Sequence, residues 1–224
     1  MDPLRLCLAL GPPAIYLVLL GAINLGRRPR VVAGARDAAA LGLALAGFAI
    51  IGPIELFFPH DAAARFGPYA WLLVLVLYAL CLALMLLLLR PRLVIYNVTP
   101  DQLRPVLAEL VARLDAEARW AGDTLFLPAL GVQLHVENFA AMRNVSLVAV
   151  GPHQNHQGWR RLEQALAAAL GRVEIGRNAR GASLLSAGLL ILAALAMVVY
   201  RHPETLHEQL VEVLAALKKA LRIE

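Results

Sequence analysis

Lysine is almost missing from this sequence, and charge of either sign is scarce. Charged residues make up 17% of the chain, and of the 21 Lys and Arg residues all but Lys218 and Lys219 are arginine. A soluble domain ordinarily carries about a quarter charged residues, so a water-facing surface over the whole chain is excluded. Cysteine is scarce too: Cys7 and Cys81 each lie within an apolar block, which excludes a disulfide framework or a cysteine-based zinc site and reads as two buried small hydrophobes. Phosphate loops, dinucleotide fingerprints, nucleophile elbows and zincin or deaminase signatures are all lacking. No catalytic, cofactor-binding or metal-ligating residue is therefore expected, and no cofactor.

The chain is 60% hydrophobic, with a mean hydropathy of +0.66. That excess is concentrated in four blocks, Leu6 to Leu25, Ala38 to Phe58, Tyr69 to Leu89 and Ala182 to Tyr200. A helix crosses the hydrocarbon of a bilayer with about 20 apolar residues, because each contributes about 1.5 Å against about 30 Å. Each block reaches that length. The third carries no charge at all, whereas Gly11, Pro12 and Pro13 interrupt the first. Arg27, Arg28 and Arg30 follow the first block directly, without a small-residue cleavage site at the boundary, so it reads as an uncleaved span rather than a signal peptide.

The arginines also orient the chain. Residues 26 to 37 hold Arg27, Arg28, Arg30 and Arg36, residues 59 to 68 hold only Arg65, Arg90 and Arg92 follow the third block, and Arg172, Arg177 and Arg180 precede the fourth. Basic residues stay in the cytoplasm. The expected arrangement is an N-terminus outside, residues 91 to 181 in the cytoplasm and a C-terminus outside, in a bacterial inner membrane. Tyr69, Trp71 and Tyr200 suit the outer interface. Topology explains the net charge of +5 and pI near 9.7, so no nucleic-acid partner is expected.

Between the third and fourth blocks the pattern becomes globular. Leu93 to Val98 reads as a strand. Thr99, Pro100, Asp101 and Gln102 form a capping-box sequence, followed by Leu103, Val106, Leu107, Leu110, Val111 and Leu114 at helical spacing, with Pro105 either kinking the first turn or marking where the regular helix starts. Strands are predicted at Thr124 to Leu127, Val132 to Val136 and Val145 to Val150, with Trp120 in a further short strand, and a second helix spans Gly158 to Leu170. Arg172 to Ile175 would close the sheet. The order β-α-β-β-β-α-β resembles a ferredoxin-like or related two-layer sandwich, an architecture that implies no activity by itself. The expected domains are residues 1–90 with three spans, the α+β insert at 91–181, the fourth span at 182–200 and an amphipathic helix at 203–224.

Glu55 is the only carboxylate inside an expected span and is the one candidate functional residue of the membrane region. Pro12 and Pro13 in the first span and Gly52-Pro53 in the second would free backbone carbonyls, as in transporters, but read first as simple kinks at a helix interface. Gly42, Ala46 and Ala49, with Ala38 and Ala39, supply small residues for helix packing within the chain or between copies. His153, His156, His135 and Glu137 lack any known ligand spacing and read as polar loop and strand positions. Trp159 reads as core and Arg160-Arg161 as the exposed face of its helix, ahead of a contact of all three with anionic headgroups. The function expected first is a non-catalytic membrane-anchored interaction or assembly module, with the lipid bilayer and a protein partner or homo-oligomer as its contacts. The alternative is a small oligomeric transporter or channel subunit using Glu55. A membrane enzyme ranks last.

Overall fold

A computed structural model describes residues 3–57, 68–139, 142–152, 154–176 and 178–204, together with 208–209, 211 and 215. The elements in chain order are α1 (Pro3–Leu25), β1 (Arg30–Ala33), α2 (Gly34–Phe57), α3 (Pro68–Leu88), β2 (Arg92–Tyr96), α4 (Pro100–Leu114), β3 (Arg119–Ala121), β4 (Thr124–Leu127), β5 (Val132–Phe139), β6 (Asn144–Ala149), α5 (His156–Leu170) and α6 (Ala179–Arg201). They fall into two compact units. One comprises residues 1–18, 39–87 and 185–224, and the other residues 19–38 and 88–184.

The second unit is an α+β sandwich on a six-stranded, wholly antiparallel sheet of order β1-β2-β6-β5-β4-β3. Strands β2 and β5 run the same way with β6 between them, so β2, α4, β5 and β6 make a split β-α-β unit, and the β3–β4 hairpin extends it beyond β5. Alternation decides what the sheet buries. Leu93, Ile95, Val145, Leu147, Leu134, Val132, Leu125 and Leu127 share one face and are sealed by Leu103, Leu107 and Val111 of α4 and by Trp159, Leu162, Leu166 and Leu170 of α5. Each helix carries its apolar stripe at i, i+3/i+4 spacing, which is why both lie on the same side of the sheet. α4 runs unbroken from Pro100 with Pro105 inside it, and the Gln102 side chain accepts from the Thr99 N–H at 3.3 Å. α5 starts at His156, two residues before the expected start, because the Asn155 side chain caps the N–H groups of Gln157 and Gly158.

Two features depart from the sequence reading. Arg172 to Ile175 forms no strand, and the edge beside β2 is taken by β1, which pairs Val31 with Ile95 and Ala33 with Leu93. β1 comes from the loop between the first two apolar blocks, so the sheet is completed from a part of the chain about sixty residues before β2 in sequence. Residue Ile175 instead donates one backbone hydrogen bond to the Arg27 carbonyl at 2.8 Å.

The first unit is helical. α1 and α6, each 23 residues, are long and apolar enough to cross a membrane, and α3 contributes the apolar helix Leu72–Leu88. Glycines set the crossings. A Cβ on Gly47 of α2 would fall 1.9 Å from the Leu8 carbonyl oxygen of α1, and one on Gly188 of α6 would fall 2.8 Å from the Ala14 carbonyl oxygen. Backbones therefore touch at both places, as small residues allow between packed apolar helices. Gly42 faces the Leu82 side chain of α3, and its carbonyl accepts from the Tyr78 hydroxyl at 2.5 Å. On α2 Ala38 and Ala44 are buried, while Gly42, Ala46 and Ala49, at helical spacing on the Ala38 side, are half-buried.

Candidate functional site

The second unit contains the end of α1, all of β1, the start of α2 and the start of α6. Their junction is polar and fully enclosed: Asn24, Asn97 and Asn178 are 1%, 0% and 3% exposed. A helix end leaves carbonyls in need of donors, and here the surrounding chain supplies donors to the two residues that follow α1. Asn97 Nδ2 donates to the Gly26 carbonyl at 2.7 Å, and the Ile175 N–H takes the Arg27 carbonyl. Asn24 Nδ2 donates back to Leu20 at 2.9 Å and its Oδ1 accepts from Asn178 Nδ2, which also reaches the Met142 carbonyl. Asn178 precedes α6, and its Oδ1 accepts from the Arg180 N–H, capping that helix. A Cβ on Gly181 would come within 2.9 Å of Asn24 and 2.8 Å of the Leu25 nitrogen, so α1 and α6 meet backbone to backbone just where the asparagines bond. Asn97 holds φ at +59°, a conformation that asparagine tolerates better than most side chains.

Beside this junction lies a cleft of about 550 Å³ lined by Leu19, Ala22, Ile23, Gly26, Arg27, Arg28 and Arg30. Leu19, Ala22 and Ile23 stand at i, i+3 and i+4 on α1 and form an apolar wall. The three arginines are exposed, and among the described residues none of their guanidinium groups meets a carboxylate or a hydrogen-bond acceptor. The cleft thus sets three unneutralised cations beside an apolar wall.

Elsewhere the unit binds itself. Tyr96 donates its hydroxyl to Asp37 of α2, Arg36 pairs with Glu163 of α5 at 2.9 Å, and the Arg92 side chain packs against Gly34. Trp159 is buried with its indole N–H on Gln154 at 2.9 Å, while Arg160 and Arg161 are exposed. His135 meets Thr124 across the β4–β5 pair at 3.2 Å, Glu137 is exposed on the same sheet face, and His156 is exposed at the first turn of α5. Among the described residues no three His, Cys, Asp or Glu side chains gather to hold a metal ion. His153 lies outside the described residues, as does the Glu55 side chain, whose backbone belongs to α2. Pro12 and Pro13 sit inside a continuous α1. Cys7 is half-buried, but Cys81 is exposed on α3, which corrects the expectation that both are buried. Most of the segment after Pro203 is likewise outside the described residues.

Sequence reasoning missed the asparagine junction and the cleft. Asn24 was the available signal: a lone amide near the end of an apolar block cannot face hydrocarbon without a partner. Comparison with family models, with curated proteins and with solved structures returns no match. The class that the fold defines is an α+β protein with long apolar helices.

Proposed function

We propose that the chain is a multi-pass membrane protein of a bacterial inner membrane, with α1, α2, α3 and α6 as four spans, and that its ferredoxin-like sheet unit serves in the cytoplasm as a non-catalytic docking or assembly module. The observation that carries this reading is the exposure of α3, where Leu73, Leu77, Leu80, Leu84, Leu87 and Leu88 all face outward, Leu87 at 83%. Exposing one leucine to water costs about 1.5–3 kcal/mol, so a whole helix surface of them is stable only in lipid or against another apolar surface. The sheet unit, by contrast, seals its leucines inside, as a water-soluble body does. A docking role draws support from Trp120, Phe126 and Phe139, large aromatic side chains left exposed on β3, β4 and β5.

The test is crosslinking followed by affinity purification of the detergent-solubilised full chain. A stoichiometric partner or a homo-oligomer is expected, and combined replacement of Trp120, Phe126 and Phe139 by Ser should abolish its capture. A protein that stays dissolved and monodisperse without detergent would overturn the membrane assignment. A monomer with no crosslinked partner would overturn the docking role alone.

A further inference from the structure

We propose that the cleft at the α1–β1 junction binds the headgroup of an anionic phospholipid, its phosphate on Arg27, Arg28 and Arg30 and the start of its acyl region against Leu19, Ala22 and Ile23. This rests on the membrane reading above. The cleft has a volume of about 550 Å³. A helix C-terminus ordinarily repels anions through its free carbonyls. Here the Ala22 and Ile23 carbonyls accept from the Gly26 N–H, and just beyond the helix the Gly26 carbonyl accepts from Asn97 Nδ2 and the Arg27 carbonyl from the Ile175 N–H. Those bonds weaken the repulsion from this end of the helix, and the three guanidinium groups set the sign of the site.

The lining decides between a lipid and a free phosphate. A guanidinium forks onto two phosphate oxygens, and an inorganic phosphate would use only that half of the cleft. The Leu19, Ala22 and Ile23 wall would stay wet. A phospholipid covers both halves, because its charge and its hydrocarbon belong to one molecule and the arginines and the apolar wall line one cleft. Neutral zwitterionic headgroups carry an ammonium that three unneutralised arginines disfavour.

Native mass spectrometry of the full chain, released from mixed micelles of phosphatidylglycerol and phosphatidylcholine, reads this directly. Wild-type protein should retain phosphatidylglycerol over phosphatidylcholine by about tenfold, a difference of about 1.4 kcal/mol. The R27Q/R28Q/R30Q variant should fall to near parity, and R160Q/R161Q, which removes exposed charge from α5, should keep the preference. Excess inorganic phosphate should fail to displace the lipid. Equal retention of both lipids by wild type, equal loss in both variants, or displacement by phosphate would each overturn the site. Those outcomes are read on a protein that needs detergent, so they leave the membrane assignment standing, whereas solubility without detergent removes that assignment first.

Discussion

At Asn97 two requirements meet in one side chain. The backbone must turn left-handed at φ +59° to leave β2, and the amide must reach Gly26 to satisfy the end of α1. In Asn97→Ala the half-buried Gly26 carbonyl loses its donor, at about 0.5–1.5 kcal/mol. The left-handed backbone adds about 1–2 kcal/mol for a residue with a Cβ and no local hydrogen bond. Asn97→Gly relieves the strain but not the stranded carbonyl, and the freedom glycine adds to the unfolded chain, about 0.4–1 kcal/mol, narrows the gap without closing it. Thermal unfolding in detergent should therefore rank wild type above Asn97→Gly and Asn97→Gly above Asn97→Ala. Wild-type stability in Asn97→Ala would show that the junction is not held by this bond. Asn178→Ala removes both the link to Asn24 and the cap of α6, and should cost about 1–3 kcal/mol in the same measurement.

Helix crossings depend on what a methyl group would strike. On Gly47 it meets the Leu8 carbonyl, which is backbone and moves only with α1, whereas on Gly42 it meets the end of the Leu82 side chain, which has other rotamers. Gly47→Ala should destabilise the protein by about 1–3 kcal/mol through overpacking. Gly42→Ala should be nearly neutral, since alanine regains about 1 kcal/mol of helix propensity. Equal melting temperatures for the two variants would show that α1 and α2 do not cross at Gly47. Local sequence made the elements with a strong period legible. The start of α4 at Pro100 and the strand Thr124–Leu127 stand where the capping sequence and the apolar alternation put them. β1 was not legible, because Arg30-Val31-Val32-Ala33 is four residues without a period and its strand partner is distant in sequence. The expected strand at Arg172 to Ile175 failed for the complementary reason: its natural place beside β2 was already filled. At the candidate site, a charged residue in a span drew attention to Glu55, but a fold is also stitched by neutral amides such as Asn24, which carry no comparable warning.

Across the whole molecule the arginines follow the division into units: all except Arg5, Arg65, Arg201 and Arg222 belong to the unit that carries the sheet. That unit also holds the end of α1 and the starts of α2 and α6, the ends that the charge rule assigns to one side of the membrane. On the proposed membrane reading two independent pressures favour the same partition, since the sheet takes β1 from the first loop and the charge rule would keep that loop's arginines in the cytoplasm. Single cysteines test it, in a background with Cys7 and Cys81 replaced by alanine. Cysteine at Glu137, exposed on β5, should react with a membrane-impermeant maleimide only after cells are permeabilised, and cysteine at Glu204, exposed just beyond α6, should react on intact cells. If the Glu137 position reacts from outside intact cells, the sheet faces away from the cytoplasm, and the arginines must be explained by the ligands they hold rather than by the side on which they lie.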